Sequence, residues 1–242
     1  MNLKQTLYDT IEATWPAAEV ASVGNWTIRN GAGGGQRVSA CTVNGPVSAE
    51  DISQAEDAML ALNQGLLFMV REDEKELDRM LAERGYREHD PVVMYHCPVE
   101  TLTKIAPERL AAFPVWPPLA IINEIWTEQG IGPARQAVMV RAKGPKTTIL
   151  ARQNDRAAGV AYVAIHGTTA MLHALEVVPE QRRQGVAVNI MGCAAKWAQD
   201  TGATDFSVIC VRDNLPANRL YTSLNMKNVG YYHYRIKDPK RA

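Results

Sequence analysis

The run LHALEVVPEQRRQGVAVNI, residues 172–190, decides how this chain is to be read. Its first seven residues are mostly apolar and read as a buried strand, interrupted by His173 and Glu176. From Val186 onward, Val186, Ile190, Ala194 and Trp197 fall on one helical face, so a helix follows. A short loop from a strand into a helix leaves several backbone N–H groups unpaired at the helix N-terminus, where the helix dipole adds partial positive charge. The segment is therefore built to receive an anion. Gly185 lets the backbone approach a ligand without a Cβ, Ala187 is small, and Arg182 and Arg183 add charge. An ordinary strand-to-helix turn with solvated arginines has the same local signature, so the loop needs a second signal.

That signal lies downstream. The strand DFSVICVR, residues 205–212, closes a strand–helix–strand unit, which requires two parallel strands joined by a right-handed crossover. In NLPANRLYTSLN, residues 214–225, the residues Ala217, Leu220, Tyr221 and Leu224 share a helical stripe. A tyrosine on such a stripe is ordinarily core; beside an anion loop it gains a second reading. The strand VGYYHYRI follows. Upstream, the helices LAIINEIWTEQG and GPARQAVMVRAK precede the strands TTILARQN, RAAGVAYVAIHG and TAMLHALEVV.

The first half has its own series. An amphipathic N-terminal helix precedes the strands NWTIRN and RVSACTVN, and then SAEDISQAEDAMLALN reads as a helix with Ser48 as N-cap and Asp51 three residues on. The strand LLFMV, the helix EKELDRMLAERG ending at Gly85, and the strand PVVMYHC complete it. The proline-bearing stretch APERLAAFPVWPP, residues 106–118, is the expected boundary, giving domains at 1–105 and 119–242. The conspicuous glycines of NGAGGGQRV, residues 30–38, lie between two strands with no helix N-terminus directly after them. They read as a hairpin turn, with Trp26, Arg29 and Arg37 either packed and solvated around it or touching a second substrate.

Composition narrows the partners. Lysine plus arginine, 26, equals aspartate plus glutamate, 26, so no net field draws the molecule to nucleic acid or an anionic membrane surface. No stretch approaches the roughly 18 apolar residues of a membrane span, and the first twenty residues lack a signal-peptide pattern. Cys41, Cys97, Cys193 and Cys210 have no CxxC spacing and read as buried free thiols in a cytoplasmic protein, with no metal site. Monomer and homodimer both remain open.

Arg182, Gly185 and Ala187 match a [QR]xxGx[GA] loop, and Asn214, Ala217, Leu220 and Tyr221 match an NxxAxxLY helix. With both motifs in order and at the right spacing, residues 119–236 resemble the GNAT superfamily of acyl-coenzyme A-dependent N-acyltransferases. Two departures stand out: Arg183 replaces a frequent glycine, and LNM at 224–226 replaces LGF, where Asn225 can take the left-handed conformation. The resemblance implies an α/β mixed-sheet GNAT fold, in tandem with a degenerate GNAT-like first half whose corresponding loop reads only NGPVS. It implies transfer of acetyl from acetyl-CoA, by direct attack, to a primary amine of a small molecule or peptide. Val177 and Val178 would pair with the pantetheine arm, the N–H groups of Arg183, Gln184, Gly185, Val186 and Ala187 would hold the pyrophosphate beside Arg182, and Asn214 and Asn218 would lie near the pantetheine. Tyr221 would be the acid for the leaving thiolate. For the base, His173 falls where relatives keep a glutamate, while Glu176 lies nearer the cofactor but on the opposite face unless a bulge turns it; a water is the third option. A non-catalytic acyl-CoA sensor would keep the loop without needing the acid. A different nucleotide-binding module is disfavoured by the lack of GxGxxG and GxxxxGK[ST].

Overall fold

Helix α1 (Leu3–Thr14) opens the computed structural model, which describes residues 2–105 and 111–238. Asn2 caps it by accepting from Lys4 N. The hairpin of β1 (Glu19–Val23) and β2 (Trp26–Asn30) follows, and then the glycine turn. Instead of the expected strand over RVSACTVN, one turn of 3-10 helix (Gln36–Val38) leads into a two-residue strand, β3 (Thr42–Val43). Gly35, at φ +97°, starts that turn, and Ser39 Oγ and Ala40 N tie it back to the carbonyls of Gly35 and Gln36. Helix α2 (Ala49–Ala61) carries a full capping box, in which Ser48 Oγ accepts from Asp51 N and Asp51 Oδ2 accepts from Ser48 N. Strand β4 (Leu66–Arg71), helix α3 (Lys75–Glu83) with Gly85 at φ +83° beyond its cap, and strand β5 (Arg87–Pro98) complete the first series.

Helix α4 (Val99–Thr103) was not apparent in the sequence, nor was β6 (Ala112–Val115) within the proline-bearing stretch, whose residues 106–110 lie outside the described residues. Strand β6 contains Pro114, which an edge position tolerates because no ladder N–H is needed there. Helices α5 (Ala120–Glu128) and α6 (Pro133–Arg141) and strands β7 (Lys146–Gln153), β8 (Arg156–His166) and β9 (Thr169–Val177) then follow. Helix α7 (Val186–Asp200), β10 (Asp205–Val211), α8 (Leu215–Ser223) and β11 (Lys227–Lys237) end the series, in the expected order.

The chain divides into two compact units that are interleaved in sequence. The first comprises Met1–Pro16, Met94–Cys210 and Asn214–Val229. In it the end of β5 lies beside β10, followed by β9, β8, β7 and β6, and only β9 and β10 run parallel among the pairings from β10 to β6. Helix α7 packs on one face, where Gly159 makes room: a Cβ there would stand 3.0 Å from Val186 Cγ1 and 3.1 Å from Ile190 Cδ1. Side chains alternate along a strand, so Val160 and Tyr162 face away from α7, toward α1 and α5.

The second unit comprises Ala17–Val93, Val211–Asp213 and Gly230–Ala242. Its core gathers Trp26, Ile28, Ile52, Met59, Phe68, Leu81 and Tyr86. Strand β11 pairs antiparallel with β4, from Tyr232 opposite Arg71 to Lys237 opposite Leu66. Asp78 on α3 anchors it, accepting from Arg235 Nε at 2.7 Å and Nη2 at 3.0 Å and contacting His233 Nε2 at 2.7 Å. The sequence read as the end of the second domain therefore completes the sheet begun by β4.

Candidate active site

The parallel ladder between β9 and β10 runs from Thr169 opposite Asp205 to Leu172 opposite Val208 and stops. Past that point β9 continues with a bulge. Tyr162 pairs with His173 and Val160 with Glu176, so Ala174 and Leu175 together face Ala161. Ala174 sits at φ +51°, and its carbonyl accepts the indole N–H of buried Trp126 on α5 at 2.8 Å. The extra residue brings Glu176 onto the same face as His173, which the unbulged strand would forbid. Val178 N donates to Ala158 O on the β8 side, leaving Val177 with its backbone groups toward the open side. The Val177 carbonyl accepts from Arg182 Nε at 3.1 Å.

Beyond β9, one 3-10 turn (Pro179–Gln181) leads to Arg183 at φ +64° and Gly185 at φ +81°. Asn189 N is bonded to Gly185 O, so the N–H groups of Val186, Ala187 and Val188 precede the first helical bond, and no side chain caps Gly185. A Cβ at Gly185 would meet nothing within 4 Å. These N–H groups at the start of a 15-residue helix fit an anionic group such as pyrophosphate. Arg182 is held in place, with Nη2 on Gln129 Oε1 at 3.3 Å, while Gln184 Nε2 bonds Glu180 O. The left-handed Arg183 explains why a glycine also serves that position.

Helix α8 presents the remaining residues. Asn214 caps it through Oδ1, which accepts from Ala217 N at 3.2 Å. Asn218 Nδ2 donates to Asn214 O at 2.8 Å, and Asn218 Oδ1 accepts from Tyr95 Oη at 2.8 Å. Tyr221 is buried, with its ring centroid 5.5 Å from that of Tyr95. Burial first, then the fields of Cys210, Glu176 and Tyr95, push its phenol above the ordinary range and keep it protonated. Glu176 is partly buried, and desolvation raises its carboxyl above the usual carboxylate range against the opposing pull of Arg182 and Arg135.

His173 stands differently. It is 4% exposed, ringed by Trp15 at 5.0 Å and Tyr162 at 6.0 Å, and its Nε2 lies 2.8 Å from Thr14 Oγ1. The single hydroxyl proton of Thr14 goes to Thr10 O at 2.6 Å, so His173 Nε2 must be the donor in the shared bond.

In the other unit, Trp26 is a core residue packed on Phe68 at 5.3 Å, and Arg29 is buried with Nη1 on Ala40 O and Nη2 on Thr42 Oγ1. Both are engaged inside the hairpin, which favours the packed alternative for these two residues. Among the described residues no group of three or more His, Cys, Asp or Glu could hold a metal ion, and no helix is long and apolar enough to cross a membrane. Sequence reasoning missed Tyr95 and Trp126. Tyr95 lies in a strand that was assigned to the first half, and the indole of Trp126 matters only once the bulge places a carbonyl before it.

Comparison with known proteins agrees with this geometry. Residues 111–226 match the model of the acetyltransferase (GNAT) family. The chain is 22% identical over 234 residues to the uncharacterized N-acetyltransferase YobR of Bacillus subtilis (strain 168), covering 93% of this chain and 95% of that protein. A GCN5-related N-acetyltransferase from Kribbella flavida has a similar fold, with TM-score 0.75 at 16% identity over 99% of this chain and 96% of the other. So does a tandem GNAT protein from the clavulanic acid biosynthesis pathway, with TM-score 0.62 at 12% identity over 94% and 86%. The open strand pair, the uncapped α7 terminus and the matched model together make residues 111–226 an acetyltransferase domain of the GNAT family.

Proposed function

We propose that this protein is an N-acetyltransferase that carries acetyl from acetyl-CoA to a primary amine of a small molecule or peptide by direct attack. The observation that carries this reading is the β9–β10 ladder that stops at Leu172 opposite Val208, followed by the N–H groups at the start of α7, which no side chain caps, with Glu176 turned by the β9 bulge and Tyr221 buried on α8. Bound acetyl-CoA would supply the activated acetyl group as a thioester. Val177 offers its backbone to the pantetheine amides at the open strand edge, as in strand addition. Residues 183–187 hold the pyrophosphate, with Arg182 buttressing the loop. Asn214 and Asn218 set the position of α8; their side chains are engaged in the cap and in the bond to Tyr95, so their role toward the cofactor is to shape its wall.

An amine is mostly protonated near neutrality and must lose a proton to attack, for which a carboxylate with raised pKa is a fitting base. Glu176 takes that role in preference to His173, which is buried against Trp15 and Tyr162 with its Nε2 turned to Thr14. Tyr221, neutral and buried, delivers a proton to the departing sulfur. We assign residues 119–242, which carry the motifs, to the catalytic sequence and 1–105 to a degenerate GNAT-like half that also lends α1 and the end of β5 to the unit holding the site, the protein acting on small-molecule or peptide amines in the cytoplasm. Thiol release from acetyl-CoA across a panel of amines tests the reading. Tyr221→Phe should lower turnover on the order of a hundredfold while leaving acetyl-CoA affinity unchanged. Binding of acetyl-CoA with no turnover on any amine would overturn it.

A further inference from the structure

Tyr95 lies on β5, which reads in sequence as the last strand of the first half, yet its segment from Met94 belongs to the compact unit that holds the site. The strand sits next to β10, on the side away from β9. Tyr95 is 7% exposed, and two contacts tie it to α8. Its hydroxyl donates to Asn218 Oδ1 at 2.8 Å, and its ring lies 5.5 Å from that of Tyr221 at an interplanar angle of 50°. Asn218 passes the restraint on, since its Nδ2 bonds Asn214 O at the cap. One strand residue thus grips the helix at two successive positions of one face, 218 and 221, and through Asn218 reaches its start.

We propose that Tyr95 is a positioning residue for acetyl transfer, holding α8 so that the Tyr221 hydroxyl meets the leaving sulfur. This rests on the role given to Tyr221 under the proposed function. Tyr95 does not need to touch substrate, because its phenolic proton is already directed at Asn218. A phenol that must deliver a proton in the transition state is sensitive to displacements of well under an ångström, whereas binding spread over a loop and a strand edge is not. Loss of the Tyr95 hydroxyl should therefore act on kcat and spare KM.

The test compares wild type, Tyr95→Phe, Asn218→Ala and the double variant, using thiol release, calorimetric titration with acetyl-CoA and thermal melting. Tyr95→Phe keeps the ring packing, so it should fold; Tyr95→Leu serves as the control for loss of the ring itself. Expected for Tyr95→Phe is a roughly fivefold to tenfold fall in kcat, with KM and Kd for acetyl-CoA within about twofold of wild type. The double variant should be little worse than Asn218→Ala alone, because the bond that Tyr95→Phe removes is already gone there, together with the bond to Asn214 O. An unchanged kcat in Tyr95→Phe, equal loss of kcat and acetyl-CoA affinity, or fully additive effects in the double variant would overturn the inference. If wild type itself binds acetyl-CoA but acetylates nothing, the proposed function fails instead, and the two failures are told apart by the wild-type control.

Discussion

Gly185 stands at φ +81° where the loop turns into α7, a conformation that costs an L side chain about 1–2 kcal/mol. Space is not the obstacle, since a Cβ there meets nothing. Gly185→Ala should therefore leave melting nearly intact but pull the 183–187 N–H groups out of register, weakening acetyl-CoA binding roughly fivefold to thirtyfold by calorimetry. Glu176 makes a prediction of a different kind. Burial raises its folded-state pKa, so the folded protein holds that proton more tightly than the unfolded chain does. Stability from this group is present at pH below its unfolded pKa and falls as pH rises through the folded one. Glu176→Gln, which cannot ionise, should melt above wild type near pH 8, with the gap closing toward about pH 4. The same variant should lower kcat on the order of a hundredfold and remove the acidic limb of the rate profile. A preserved limb would return the base to water.

At the scale of elements, α7, α8 and the strands around them were legible because their signals are local: a 3.6-residue stripe, an alternating run, a glycine before a helix. What escaped had no local signal. Strand β1 is exposed along most of its length, so EVASV shows no buried alternation, and β6 hides behind Pro114. The bulge in β9 was legible only as a condition, because nothing in HALEV says which carbonyl will leave the ladder. Trp126 supplies the missing cause from α5, 48 residues away, by donating to Ala174 O. Trp126→Phe keeps the ring in its buried place but leaves that carbonyl without its donor, at a cost of about 1–3 kcal/mol. Because the bulge is what brings Glu176 to the face of His173, the variant should lose turnover as well as melting temperature. Tyr162→Phe is the control: it removes a bond to Met139 O at similar depth and should cost stability while touching turnover less.

At the scale of the whole molecule, a single cut through the proline-bearing stretch does not separate the two compact units. A fragment of residues 119–242 carries every motif of the acetyltransferase and reads as self-sufficient, but its unit also needs α1 and the end of β5. Without α1, the buried rings of Tyr162 and His173 lose the cover of Trp15, and His173 loses its bond to Thr14. Without β5, Tyr95 is gone and β10 becomes an open edge on the side where α8 must be held. Strand β11 would in turn lack β4, to which six of its residues are paired. The fragment should therefore melt without a cooperative transition, show poorly dispersed amide resonances and release no thiol from acetyl-CoA. Co-expression with residues 1–118 as a separate chain should restore a cooperative melt and turnover, since the missing strands and helix return without a peptide link. A fragment of residues 119–242 that melts sharply and turns over at the full-length rate by itself would show that α1 and β5 are dispensable and that the motifs alone make the enzyme.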